Sequence, residues 1–192
     1  MRILFHNHKM KLILLILLLF VILSFISVRE YYTDQCHFQA DAGYVCPLTQ
    51  ETSTYKIIQY NQAFPEVQSV VIKHLKKEFG DFYSDRFVRK NWSSGDVFYV
   101  MVDKSETRFI GCVAVDRRNF YPYISELYVV PNERRNGYAT KLLKFGEEYT
   151  KSLSFYVAKL WCDKELVGFY KKRGYTIEEI KDNTYMMRKT LS

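Results

Sequence analysis

No CxxC pair occurs among the four cysteines, Cys36, Cys46, Cys112 and Cys162, and His37 and His74 each stand alone. Metal-ligand spacing is therefore lacking, and the sequence points to no metal site. Charge of one sign is also scarce once the N-terminus is set aside. Residues 1–29 hold Arg2, Lys9, Lys11 and Arg29 and no acid, so the rest of the chain sets the other 24 of its 28 basic residues against 21 acids. So small an excess gives no case for a nucleic-acid partner. Internal repeats and low-complexity blocks are missing too. Apolar material is plentiful: 48% of the 192 residues are hydrophobic and 17% aromatic, enough for one domain with a core rather than a disordered chain.

The longest apolar run lies at the N-terminus. Leu12 to Val28 is apolar except at Ser24 and Ser27, with basic residues before it and Arg29-Glu30 after it. A bilayer-spanning helix needs about 17 to 20 such residues, so residues 1–28 are expected to form a basic flank and a membrane anchor. A cleaved signal peptide, giving a secreted chain, is the rival. Its apolar core is ordinarily about 7 to 15 residues with small residues at the cleavage site, and cleavage after Ser27 would put Phe25 at one of those positions. A buried core helix would need a larger protein around a segment apolar on all sides. The positive charge before the run predicts a cytoplasmic N-terminus and a single-pass, type II arrangement. Asn91-Trp92-Ser93 fits a glycosylation acceptor, and Cys36 and Cys46 could pair in that compartment. His6 and His8, within the basic flank, read as a solvated tail.

Residues 29–52 mix Tyr31, Tyr32, Gly43 and Pro47 without periodicity and read as a stalk, leaving 53–192 as the globular domain. Tyr55 to Tyr60 reads as a strand. Val67, Val70, Val71, Leu75 and Phe79 then recur at helical spacing between Pro65 and Gly80. A short helix is expected around Phe82 to Val88. Val97 to Val102 and Phe109 to Val115 form a hairpin across DKSETR. A strand at Tyr123 to Val130, a helix to about Ser152, a strand at Phe155 to Cys162, a helix at Lys164 to Arg173 and strands at Tyr175 to Ile180 and Tyr185 to Lys189 complete the chain. The order predicts an α/β fold, a central mixed sheet flanked by helices.

At its central strand-to-helix junction the chain reads PNERRNGYA, Pro131 to Ala139. Pro131 stops the ladder, Gly137 permits close backbone approach, and Ala139 keeps the first helical turn uncrowded. The N–H groups of Asn136, Gly137, Tyr138, Ala139 and Thr140 then emerge at a helix N-terminus, where the dipole favours an anion such as a pyrophosphate. Arg134 and Arg135 at the rim would add charge-assisted bonds. With no GK[ST] this is no Walker loop, and with one glycine it is no dinucleotide fingerprint. The pattern R/Q-x-x-G-x-G/A alone arises by chance in about one chain in five of this length. Its place before an amphipathic helix carrying Tyr138, Leu142, Phe145 and Tyr149 on one face gives it weight.

At these residues the chain resembles the GNAT superfamily of N-acetyltransferases, whose acetyl-coenzyme A loop is written V-x-P-x-x-R/Q-x-x-G-x-G/A and is matched by Val129 to Ala139. A second family signature, N-x-x-A-x-x-x-Y-x-x-x-G-F, corresponds to Asp163 to Tyr175. Tyr170, Gly174 and Tyr175 match it, while Asp163 replaces asparagine and Leu166 replaces alanine. The resemblance covers about residues 53 to 190. It implies that the strand Glu126 to Val130 splays from the strand Phe155 to Cys162, opening a slot for the pantetheine arm. Leu127, Tyr128 and Val129 would line that slot, with backbone groups of Leu127 and Val129 bonding the pantetheine amide and the thioester carbonyl. It also implies direct attack by a primary amine on acetyl-coenzyme A, with no metal.

In that scheme a backbone N–H near Val129 stabilises the developing oxyanion, and Tyr170 protonates the leaving thiolate. Glu126, beside the central strand, would take the proton from the amine, directly or through water; its other reading is a surface or substrate-orienting glutamate. Tyr170 also has a second reading, as one core tyrosine among sixteen. Asp163 in place of asparagine loses an amide donor to the cofactor, and Lys171-Lys172-Arg173 either reach its ribose phosphate or form a solvated helix face. Two functions remain open: an acetyltransferase, or a degenerate domain of the same fold that binds acyl-coenzyme A or a protein without catalysis. A type II anchor sets the domain across the membrane from cytosolic acetyl-coenzyme A, so either a carrier delivers it or the topology is inverted.

Overall fold

The computed structural model describes residues 37–39, 43–45, 49–81, 97–117 and 121–192. The expected anchor at 12–28, the sequon at Asn91 and the short helix near 82–88 lie outside them. Among the described residues no helix is long and apolar enough to cross a membrane. The chain divides into two units, Met1–Pro47 and Leu48–Ser192. In the first, β1 (His37–Gln39) and β2 (Gly43–Val45) pair antiparallel with Phe38 opposite Tyr44. This hairpin lies within the segment that reads as a stalk; strands of three residues are too short to show a period.

The second unit runs β3 (Gln50–Glu51), β4 (Tyr55–Gln59), α1 (Pro65–Phe79), β5 (Val97–Asp103), β6 (Phe109–Asp116), β7 (Tyr123–Val129), α2 (Tyr138–Ser152), β8 (Val157–Asp163), α3 (Val167–Lys171), β9 (Thr176–Lys181) and β10 (Thr184–Thr190). Its eight strands form one sheet in the order β3-β4-β5-β6-β7-β8-β10-β9. All neighbours are antiparallel except β7 and β8. The mixed sheet flanked by helices is thus as expected. It begins slightly before Ser53, with Glu51 paired to Lys56, and α3 is shorter than the sequence suggests because Lys164–Leu166 takes a 3-10 turn.

Burial on both faces explains the unbroken apolar run of β5. Phe98, Val100 and Val102 pack with Val67, Val71 and Leu75 of α1 on one side. On the other, Tyr99 meets Phe145 and Tyr149 of α2 at centroid distances of 4.7 and 5.3 Å. Each such side chain contributes about 1.5–3 kcal/mol of burial, so the central strands and two helices carry the fold. Gly111 of β6 lets these layers close up, since a Cβ there would stand 2.4 Å from the Tyr128 carbonyl oxygen and 3.0 Å from Leu142.

Two irregularities of β7 shape the site. Its register against β6 slips between the pairs Cys112–Tyr128 and Ala114–Ser125, so Glu126 and Leu127 together face Val113 in a β-bulge, with Glu126 at φ 46°. Bulges bend a strand and re-aim its side chains. Beyond the bulge β7 has left β8: the two pair in parallel only at Tyr123 and Lys159. The splay that the family resemblance implies is present.

Candidate active site

The anion-binding end lies where β7 runs through a 3-10 turn, Pro131–Glu133, into α2. Gly137 is the N-cap of α2, at φ 77° and ψ 2°, and no side chain caps the helix. The first intrahelical bond runs from Lys141 N–H to Gly137 O at 3.2 Å. The amides of Tyr138, Ala139 and Thr140 therefore precede the helical ladder and point along its axis. A Cβ on Gly137 would meet no atom within 4 Å, so the space before these amides is open. Such a cradle fits a phosphate group.

Arg173 completes it. The guanidinium donates from Nε and Nη2 to Thr140 Oγ1 at 3.0 and 2.5 Å, and from Nη1 to the Phe169 carbonyl at 2.7 Å. It also stacks on the Phe169 ring at 3.6 Å. The end of α3 is thereby fastened to the first turn of α2, and a fixed positive charge sits beside the cradle. Lys171 and Lys172 are exposed. Of the basic run, Arg173 is the residue the fold brings to the site.

Arg134, expected at the rim, is engaged by three neighbouring groups. Its Nε donates to the Val129 carbonyl at 3.0 Å, the guanidinium lies 5.8 Å from the centre of the Tyr128 ring, and Nη2 reaches within 3.9 Å of the Glu78 carboxylate. It braces the turn against α1. Arg135, at φ 68°, is exposed and remains available, while Asn136 donates from Nδ2 to the Glu133 carbonyl at 3.3 Å. The side chain of Tyr128 is core rather than cleft: its hydroxyl bonds His74 Nδ1 at 3.0 Å and its ring lies near Phe79 and Phe109.

Between the splayed strands lies a cleft of about 230 Å³. Ser125, Glu126 and Leu127 line it from β7, Trp161, Cys162 and Asp163 from β8, and Leu166 and Tyr170 from the α3 region. Val130 N–H bonds Ile110 O on β6 at 3.0 Å. Successive N–H groups of a strand point to opposite edges, so that of Val129 faces the β8 side, where the cleft lies. Glu126 and Tyr170, which lie far apart in the sequence, border the same space.

Tyr170 is buried, 6% exposed, with its ring edge-on to Phe169 and Tyr175 at 5.0 and 5.7 Å. Burial pushes its phenol up to about 12, aided by the neighbouring Cys162 and opposed by the Arg173 cation. Burial wins, so the nearby cation does not make this tyrosine a stronger acid. The Cys162 thiol is likewise pushed up to about 11 by burial and the Asp163 carboxylate, which keeps it protonated and poorly nucleophilic. Trp161 and Cys162 are not among the site residues expected from the sequence, and Leu166 enters there as the residue standing for alanine in the second signature. A signal for Trp161 was there: Ala158, Leu160 and Cys162 are the inward alternation of β8, which leaves an aromatic on the face expected to be polar. Among the described residues no group of His, Cys, Asp or Glu could hold a metal.

The sequence matches the acetyltransferase (GNAT) family over residues 68–175. It has no match among curated protein sequences. Among solved structures the chain is similar to an aminoglycoside 6'-N-acetyltransferase complexed with coenzyme A, with a TM-score of 0.61 at 17% identity over 70% of this chain and 96% of that one. A GNAT-family acetyltransferase from Staphylococcus aureus Mu50 gives 0.54 at 16% identity, covering 72% and 99%. N-acetylglutamate synthase from Neisseria gonorrhoeae, complexed with coenzyme A and L-arginine, gives 0.57 at 14% identity over 73% of this chain and 34% of that chain. At these identities the likeness is one of fold.

Proposed function

The chain belongs to the acetyltransferase (GNAT) family, and on that premise we propose that it transfers an acetyl group from acetyl-coenzyme A to a primary amine by direct attack. The observation that carries this is the continuity of β7: one strand supplies a wall of the cleft, with Glu126 at its bulge, and then enters the turn before α2. A single extended ligand with a thioester at one end and phosphates further along matches that layout. The open amides of Tyr138 to Thr140, with Arg135 and Arg173, hold the phosphates. Leu127 and Val129 line the path of the pantetheine arm.

In the reaction the amine nitrogen bonds the thioester carbonyl carbon and the carbon–sulfur bond breaks. Glu126 accepts the proton the amine must lose, directly or through one water. Val129 N–H faces the carbonyl oxygen as charge builds there. Tyr170 supports the leaving sulfur. A phenol held near 12 is poorly matched to a thiol of about 8.5, so its part is a hydrogen bond to the departing sulfur more than full proton delivery. Calorimetry with acetyl-coenzyme A, paired with thiol release in the presence of primary amines, tests the reading. Binding with no thiol release from any amine would favour the non-catalytic binding module.

We also propose that Leu12 to Val28 anchors the chain in a membrane in a single pass, on the length and apolarity of that run. Full-length protein should then stay in the membrane fraction after carbonate extraction. A mature chain starting near Val28 would identify a cleaved signal peptide instead.

A further inference from the structure

We propose that Arg173 couples the phosphate cradle to Tyr170. A phosphate group seated on the α2 amides holds the guanidinium, the guanidinium holds Tyr170 at the cleft, and the phosphate end of coenzyme A thereby raises kcat as well as affinity. This rests on the acetyl-transfer reading and concerns how the two ends of its site communicate. Arg173 touches no reacting atom, so it is a positioning residue.

Its contacts reach both ends. Toward the cradle, Nε and Nη2 donate to Thr140 Oγ1, on the residue whose amide is the last of the three that precede the helical ladder. Toward the cleft, Nη1 donates to the Phe169 carbonyl at 2.7 Å, and the Arg173 backbone N–H donates to the Tyr170 carbonyl at 2.9 Å. Those two carbonyls belong to the peptide units on either side of the Tyr170 Cα. One residue therefore grips both of the peptides that set the direction of the Tyr170 side chain.

Helix α3 does not hold that direction alone. It has five residues and no side-chain cap, and so short a helix is unstable without tertiary contacts. The side-chain bonds use three of the five guanidinium N–H groups, which leaves two, among the described residues, for phosphate oxygens. Each bond a phosphate adds removes freedom from the guanidinium, and through it from Tyr170. Binding energy from the unreactive end of a substrate raises turnover when it orients groups at the reacting end.

The test uses the full chain and adenosine 3'-phosphate 5'-diphosphate, which carries the phosphates of coenzyme A and no pantetheine arm to fill the cleft. At saturation, judged by calorimetry, this nucleotide should slow amide exchange at Arg173 and Tyr175, which both donate to the Tyr170 carbonyl, by about tenfold or more. Arg173→Lys keeps the charge but cannot fork between Thr140 and Phe169. It should bind the nucleotide within a few-fold of the parent protein and lose the slowing. Thr140→Val, which removes the acceptor and keeps the amide, should lose the slowing too. In thiol release with a primary amine, Arg173→Lys should lower kcat for acetyl-coenzyme A by about 10- to 10²-fold, and no further when combined with Tyr170→Phe. A merely structural Arg173 would lower the melting temperature and leave the exchange response of Arg173→Lys intact. That persistent response, no slowing in the parent protein, or additive losses in the double variant would overturn the proposal while leaving acetyl transfer standing. So would a nucleotide that fails to bind where coenzyme A binds. If no amine releases thiol, the exchange response alone decides. If coenzyme A itself fails to bind, the acetyl-transfer reading falls first and takes this one with it.

Discussion

Tyr170 is where a single side chain decides most. Its hydroxyl has no hydrogen-bond partner among the described residues, while its ring is held edge-on between Phe169 and Tyr175. Tyr170→Phe keeps that packing and removes one hydrogen bond to a developing thiolate. Bonds to charged groups are worth about 1.5–3 kcal/mol, so kcat should fall by about 10- to 10²-fold with acetyl-coenzyme A affinity nearly unchanged. Stopped-flow thiol release reads this, and an undiminished rate would remove Tyr170 from the chemistry. The phenol also predicts a pH dependence. A group whose folded pKa is raised contributes its stability fully below the unfolded value of about 10 and loses it as pH rises toward the folded value. With Tyr170 near 12 and Tyr175 pushed up further by burial and the Glu147 carboxylate, thermal stability should hold to about pH 10 and then decline, and Tyr170→Phe should lessen that decline. At Gly137 the backbone is left-handed, at φ 77°, which costs a β-branched residue roughly 1–2 kcal/mol. Gly137→Val should therefore lower the melting temperature by several degrees and abolish acetyl-coenzyme A binding, with the circular dichroism spectrum retained.

At the scale of elements, the close approach of β6, β7 and α2 depends on Gly111, whose added Cβ would strike backbone rather than a movable side-chain tip. Gly111→Ala should destabilise the domain by about 1–3 kcal/mol through overpacking, measurable as an earlier urea midpoint. Arg173→Ala should loosen α3 from α2 and weaken acetyl-coenzyme A binding by roughly tenfold, the value of one charge-assisted contact. The elements themselves were legible because their periods are long. The helical spacing from Val67 to Phe79 and the two apolar runs of β5 and β6 on either side of DKSETR name their structures, and the turn Pro131 to Ala139 names its helix start. The hairpin at Phe38 and Tyr44 was not legible, since three-residue strands carry no period. Local geometry was legible where a motif fixes the backbone, as at Gly137, and not legible where a long side chain has a choice. Arg134 could face either the cradle or α1, and the Val129 carbonyl, the Tyr128 ring and Glu78 draw it to α1. Only tertiary contact settles that choice. Arg173 shows the converse, a residue in a charge run that the fold turns inward onto Thr140.

For the domain as a whole, the parting of β7 from β8 has a mechanical meaning. The sheet is laddered continuously from β3 to β7 and again through β8, β10 and β9, but the two halves share one paired position, Tyr123 with Lys159. A ligand lying between the strands would take over the hydrogen bonding that the missing ladder leaves undone, acting as a surrogate strand. The amides of β8, β9 and β10 should therefore exchange with deuterium sooner than those of β5 and β6 in the free protein. Acetyl-coenzyme A should slow them most, tying substrate occupancy to the integrity of the sheet.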